Sequence, residues 1–193
     1  SLLEGVSHEF ISLRFMEILN DEFNGQLSLA ITMFKGDYKR PFFGQLISGQ
    51  LDMDRSDYLK RDSFYTGVSE GNINSERLIS MMNVVSDKLV IEEKGIYSIE
   101  KFLSARRLMY WQVYLHKTGV VAENMIINVL KRAKMLSQSN SPLFVSPELD
   151  FFLKTEIYPS KLTKAILENF SELDDNDLVS ALKSWKNHPD FVL

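Results

Sequence analysis

From Ser7 onward the apolar residues Phe10, Ile11, Leu13, Phe15, Ile18 and Leu19 recur at helical spacing and predict a helix over "HEFISLRFMEILNDEF". Ser7 is placed to cap it and Asn24-Gly25 to stop it. Two short helices follow in "LSLAITMF" and "PFFGQLISG", where Pro41 suits a first helical turn and Gly49 a helix end. Next, "MDRSDYLKRDSFYTG" lacks proline and is bounded by turn residues, so it predicts a helix with Asp54, Tyr58 and Arg61 on one face. A glycine-rich loop, "GVSEGNIN", leads to a short helix, "SERLISMM". The period then changes. "NVVSDKLVIEEKGIYSI" carries β-branched residues around Ser-Asp-Lys and Lys-Gly turns and predicts a small hairpin or three-stranded patch.

The helical pattern resumes at Ser98 and runs from Glu100 through "EKFLSARRLMYWQVYLHK" to Gly119, the longest and most aromatic helix expected. A second long helix, "VVAENMIINVLKRAKMLS", follows almost without a loop and implies a sharp kink or an antiparallel pair. Residues 138–142, "QSNSP", form the linker candidate. Three short helices come after it, with Ser146, Ser160 and Asp174 or Asp175 as caps. Together these predict a mainly α-helical bundle with one small β-hairpin insertion.

Composition narrows what such a bundle can do. With 193 residues, 45% of them hydrophobic, the chain can bury a real core. Twenty-two basic against 26 acidic residues give a net charge of −4, so no diffuse positive field recruits nucleic acid or anionic membrane. The absence of cysteine excludes disulfides, thiolate metal sites and a cysteine nucleophile. No apolar run is long enough to span a bilayer, and the expectation is a soluble, cytoplasmic protein.

One stretch stands out chemically. "GQLDMDRSDYLKRDSFYTGVSEG" packs four aspartates, two arginines and a lysine among large apolar residues. Asp/Arg pairs at helical spacing often decorate a wet face. Here Leu51, Met53, Tyr58, Leu59, Phe64 and Tyr65 would leave little fully wet surface, and charges set against an apolar background need partners. A divalent cation beside phosphate groups would satisfy carboxylate, guanidinium and phenol together. From spacing alone, the solvated face and the binding site both stand.

"LDMDRSDYLKRDSFYTG" resembles the last metal-binding segment of the HD-domain phosphohydrolases, and within them the deoxynucleoside triphosphate triphosphohydrolases. "SHEFIS" is similar to the histidine-glutamate pair that follows that family's HD motif, and "GIYSIEKFLSARRLMYWQVYLHKTG" to its substrate-lining helix. The resemblance implies that residues 1–137 are the C-terminal part of an HD phosphohydrolase domain and 138–193 a helical extension. It makes Asp54 the metal ligand, with Arg55 on the phosphates, Tyr58 on phosphate or near the nucleotide, and Asp62 accepting from the sugar. Arg106 would meet a terminal phosphate, and Tyr110 and Tyr114 would face base and sugar. His8 would belong to a catalytic acid–base relay with Glu9 in support.

The spacing of Arg106, Tyr110 and Tyr114 agrees in placing all three on one helix face. Trp111 is assigned to the core and Arg107 to a structural role. Leu115 stands where some relatives carry a polar residue that contacts the base, so base selectivity does not carry over.

The only histidines are His8, His116 and His188, and no His-Asp dipeptide occurs, so this chain lacks the family's other metal ligands. His116 and Lys117 read as cations at a helix C-terminus, and His188 as a terminal-loop residue. Together with a start at Ser rather than Met and an apolar finish at "PDFVL", these features lead to the expectation of a fragment of a longer enzyme. The expected activity is metal-dependent hydrolysis of a deoxynucleoside triphosphate to deoxynucleoside and triphosphate, as a homo-oligomer that needs a divalent metal ion. The alternative is a non-catalytic helical module for nucleotide sensing or oligomerisation.

Overall fold

The computed structural model describes residues 5–139 and 141–193, apart from the side chain of Ser160. It is mainly α-helical with one two-stranded antiparallel sheet, and its contacts fall into two units. One unit joins residues 5–22 to Val121–Leu193, and the other is Phe23–Val120. The boundary expected at 137/138 falls inside the first of these.

In the Phe23–Val120 unit the chain runs through α2 (Ser28–Phe34), α3 (Phe42–Ser48) and α4 (Met53–Thr66). Asp52 starts α4 by accepting the Arg55 N–H at 2.8 Å, and Gly67, in the left-handed region at φ 71°, ends it. Leu59 on α4 packs with Ile73, with Leu78 of α5 (Ser75–Ser80) and with Phe102, Ala105 and Met109 of α6 (Ile96–Met109). This is the unit's core. Gly71 is obligatory beneath it, because a Cβ there would stand 2.6 Å from Met109 Sδ and 2.8 Å from Ser63 Cβ.

The expected hairpin forms from β1 (Met82–Val85) and β2 (Lys88–Ile91), in register Met82 to Ile91 and Val85 to Lys88. Its two turn residues, Ser86 and Asp87, both have positive φ, as a primed two-residue turn requires. The hairpin is held to α3 by the Gln45 side chain, which accepts the Leu89 N–H at 2.7 Å.

The helix predicted to run unbroken to Gly119 does not form. After α6 the backbone widens into a π-helical turn, Tyr110–Tyr114, with the Leu115 N–H bonded to the Tyr110 carbonyl at 2.8 Å. A new helix, α7 (Lys117–Gln138), then begins. Gly119 lies inside its first turn without positive φ, so it lacks the left-handed geometry that stops a helix. Lys117 therefore opens a helix rather than closing one, and His116 Nδ1 accepts the Thr118 N–H at 3.4 Å.

The other unit holds α1 (His8–Glu22), most of α7, α8 (Pro147–Lys154), α9 (Lys164–Glu172) and α10 (Asp175–Trp185). Ser7, Ser146 and Asp174 cap α1, α8 and α10 as predicted, Asp174 in a full capping box with Asp177. Thr163 caps α9. The proposed cap at Ser160 and residue 140 of the linker lie outside the described residues. Ala133, Leu149, Leu153, Ala181 and Trp185 form this core, and the Trp185 indole N–H donates to the Phe144 carbonyl at 3.0 Å. α1 joins through Phe15, whose ring lies 6.4 Å from that of Phe170.

Candidate functional site

Within the Phe23–Val120 unit, α4 and the α6 to π-turn segment bring five of the predicted residues together. The Tyr114 hydroxyl donates to Asp62 Oδ2 at 2.7 Å, linking positions 52 residues apart. The Tyr114 ring stands edge-on to Tyr58 at 5.9 Å and to Tyr110 at 5.1 Å. The Arg106 guanidinium lies over the Tyr110 ring at 5.8 Å and donates to Gln50 Oε1 at 3.3 Å. Arg106, Tyr110 and Tyr114 therefore do share a face, and Tyr58 and Asp62 meet them from α4.

The cluster's electrostatics follow from partial burial. Desolvation, then the hydrogen bond to Asp62 and its negative charge, holds the Tyr114 phenol well above its ordinary pKa. Desolvation and the neighbouring Tyr110 phenol likewise raise Tyr58, against the opposing pull of Arg106 and Arg55. The Tyr58 and Tyr114 phenols are thus neutral hydrogen-bonding groups at pH 7. The arrangement presents hydroxyls, one carboxylate, a guanidinium and aromatic edges on one surface. Such a surface suits a ligand combining an anion, a hydroxylated ring and a flat apolar ring.

Arg55 lies beside this face but is engaged. Its guanidinium donates to the Asp52 carboxylate and to the Gly49 carbonyl. Asp52 is only 3% exposed, which makes it the one buried acid among the described residues. Sequence reasoning missed it, although its place one residue before a helix is a capping signal. Gln50 carried no such signal. Phe64 and Tyr65, expected to shield the stretch, are exposed at 80% and 79%. They lie around the helix from the buried stripe of Ser56, Leu59 and Ser63. Trp111, expected in the core, is 62% exposed and stacks under the Arg107 guanidinium at 5.2 Å.

Asp54 projects from the first turn of α4, exposed and without a hydrogen bond or ion pair among the described residues. No three His, Cys, Asp or Glu side chains among the described residues are grouped to hold a metal ion. One exposed carboxylate is too small a donor set for a resident divalent cation. The residues present therefore do not fit a complete metal site.

His8 and Glu9 belong to the other unit, at the start of α1. His8 Nε2 lies 3.1 Å from Glu9 Oε1, with both side chains largely exposed. The Glu9 backbone N–H and the Ser7 hydroxyl hold the Glu9 carboxyl below its ordinary pKa. His188 accepts the Asp190 N–H at 3.1 Å in the C-terminal loop. A separate cavity of about 200 Å³ in the Phe23–Val120 unit, bordered by Arg77, Lys94, Tyr97 and Lys101, contains none of the predicted site residues. No helix among the described residues is long and apolar enough to cross a membrane.

Comparison with known proteins places these features in a lineage. Residues 73–145, which include the hairpin, α6 and the π-turn, match the HD associated region family. A crystal structure of a phosphohydrolase from Bacteroides thetaiotaomicron is 61% identical and superposes with a TM-score of 0.94, covering 98% of this chain and 48% of that one. The uncharacterized protein YwfO of Bacillus subtilis is 36% identical over 156 residues, 81% of this chain and 34% of the relative. A Dictyostelium discoideum homolog of deoxynucleoside triphosphate triphosphohydrolase SAMHD1 is 25% identical over 138 residues, 65% of this chain and 27% of the relative. The chain spans about a third of the length of the curated relatives it matches. In fold and in sequence, the chain is an HD-domain phosphohydrolase-like protein.

Proposed function

We propose that this chain forms the nucleotide-facing wall of an HD phosphohydrolase that cleaves a deoxynucleoside triphosphate to deoxynucleoside and triphosphate. The observation that carries the reading is the Tyr114–Asp62 hydrogen bond, which fixes a phenol ring beside a carboxylate with Tyr58, Tyr110 and Arg106 continuing on the same surface. Asp62 would accept from a sugar hydroxyl and Tyr114 would close the space below the sugar ring. Arg106 and Arg55 would take the phosphates with Tyr58 beside them, and Tyr110 would face the base. The Dictyostelium relative, whose name specifies a deoxynucleoside triphosphate triphosphohydrolase, supports the substrate class.

The acid–base role of His8, with Glu9 in support, is what the resemblance to the HD phosphohydrolases implies, and the two side chains lie within 3.1 Å of each other. The divalent ion of the family would take one ligand from this chain, Asp54. The homo-oligomer remains a proposal, consistent with exposed apolar side chains on α7 at Val121, Met125 and Met135.

A second reading, a nucleotide-sensing module without chemistry, is favoured by one observation, the lack of a grouped metal-ligand set among the described residues. Two measurements test both. Calorimetric titration of the chain with dATP and ATP is expected to show preference for the deoxynucleotide, and Tyr114→Ala to abolish that preference. Unchanged discrimination in the variant overturns the assignment of this face. Metal analysis of the full-length protein then separates the readings: one tightly held divalent ion per chain for the hydrolase, none for the sensor.

A further inference from the structure

Both arginines assigned to the phosphates are anchored to the same short loop, residues 49–52, between α3 and α4. Gln50 Oε1 accepts from Arg106 Nη1 at 3.3 Å, and Arg106 arrives from α6, 56 residues away in sequence. Asp52 takes the Arg55 guanidinium on Oδ2 and the Arg55 N–H on Oδ1, the latter at 2.8 Å, and Gly49 adds its carbonyl to the same guanidinium. The two anchors differ in kind. Gln50 is neutral and exposed, whereas Asp52 is a carboxylate 3% exposed whose own carbonyl is taken by the Ser56 N–H and hydroxyl at 3.3 and 3.1 Å. The Asp52 backbone is thus fixed by Ser56 and its buried carboxylate by the helix-cap bond, so the guanidinium on its other oxygen has a fixed anchor.

We propose that Gln50 and Asp52 are positioning residues: the loop fixes the spacing and direction of two guanidiniums, so that they meet a chain of phosphates as a preformed pair rather than as two mobile cations. This rests on the reading of the face as phosphate-binding. A long, flexible arginine loses side-chain entropy when it binds, and anchoring it beforehand removes that cost. Asp52 acts in two opposing ways. It cancels charge that would attract phosphate, and it orders the group that would bind it. Of the two, ordering wins.

That sign can be measured with sodium tripolyphosphate as the probe, titrated into the whole chain by calorimetry. Asp52→Asn retains a good helix cap and one oxygen acceptor while removing the charge. It is expected to weaken binding about fivefold, the equivalent of one hydrogen bond. If neutralisation dominated instead, Asn would free Arg55 and binding would tighten, which overturns the proposal for Asp52. Gln50→Leu, on the exposed loop, carries no folding risk and is also expected to weaken binding about fivefold. The decisive readout is coupling. The double variant Gln50→Leu/Arg106→Gln should bind no more weakly than Arg106→Gln alone, because Gln50 acts only through Arg106. Additive losses overturn the proposal for Gln50. If Arg55→Gln and Arg106→Gln both bind like the parent, or the parent does not bind, the phosphate-facing reading fails. If the arginine variants lose binding while Gln50→Leu and Asp52→Asn retain it, only the positioning fails.

Discussion

The two units use aromatic residues in opposite ways. In the unit containing α8 to α10, Trp185 and Phe152 are each 1% exposed, and the one polar atom of Trp185 is spent on a backbone carbonyl. Both aromatic residues there serve packing. In the Phe23–Val120 unit, Tyr58 and Tyr114 are half-buried and Tyr110 is 38% exposed, and their hydroxyls face one another and a carboxylate. Aromatic density alone does not separate core from site. What separates them is whether the polar tips are satisfied by the fold's own backbone or by other side chains at a surface. The second arrangement leaves lone pairs and donors for a ligand.

The two tryptophans sharpen this contrast, because the chain has one in each unit. Trp185→Ala should cost about 3–5 kcal/mol through the cavity it leaves, with the Phe144 carbonyl also losing its donor. Trp111→Ala should stay within about 0.5 kcal/mol, since its ring is solvent-facing and its contact is with Arg107. Urea unfolding followed by fluorescence checks both. Equal costs would mean that Trp111 is a core residue after all, as helical spacing suggests.

The next effect is smaller and lies in the tyrosine cluster. Asp62→Asn leaves the Tyr114 hydroxyl an acceptor of lower strength, and Tyr114→Phe leaves the carboxylate without its donor. Each is expected to cost about 1 kcal/mol in a half-buried setting. Each should also weaken deoxynucleotide binding by far more than its effect on stability implies. The double variant should cost less than the sum, since both members of one bond are gone. If stability and binding fall in step, the bond is structural and the face is not a site.

Much of this was legible because local chemistry decides it. The Ser7, Ser146 and Asp174 caps need only a side-chain oxygen next to orphan N–H groups, and the hairpin needs only β-branched runs about a Ser-Asp turn. The shared face of Arg106, Tyr110 and Tyr114 was likewise readable from spacing. The π-turn was not, because a widened turn has no residue signature and Gly119 offered a false stop. Nor could spacing distinguish Trp111 from Trp185, since which face of a helix is covered depends on partners distant in sequence. The pairing of Tyr114 with Asp62 is of the same kind. Each residue was readable as a candidate, while the bond between them is a property of how α4 meets α6.

Titration offers a third break point. The Tyr58 and Tyr114 phenols are raised above their ordinary values, so folding favours their protonated forms. The stability they contribute is complete below the unfolded tyrosine pKa of about 10. It is lost progressively as pH rises above that value, because the unfolded chain releases those protons first. Absorbance at the tyrosinate band should show some of the seven tyrosines titrating late, and Tyr114→Phe should remove part of the late fraction. A single transition at the ordinary value would contradict the desolvated cluster.

The smallest expected effect compares two Asp–Arg pairs on one helix. Asp57 and Arg61 are i, i+4 partners at 2.5 Å with side chains 63% and 54% exposed, whereas the Asp52 and Arg55 side chains are 5% and 28% exposed. Water screens the first pair and entropy opposes holding it, so Arg61→Ala should change stability by no more than about 0.5 kcal/mol and leave tripolyphosphate binding unchanged. The change should shrink further in high salt. Removing Arg55 instead strands a nearly buried carboxylate, which is the costly way to break an ion pair. Thermal unfolding of Arg61→Ala and Arg55→Ala at low and high salt checks the pair of expectations. If the two variants unfold alike, burial does not distinguish the ends of α4, and the charged stretch is a solvated face throughout. A salt-insensitive Arg55→Ala loss beside a salt-sensitive, near-zero Arg61→Ala loss would place the division within the helix itself, between a first turn built to hold a guanidinium and a second that carries charge only toward water.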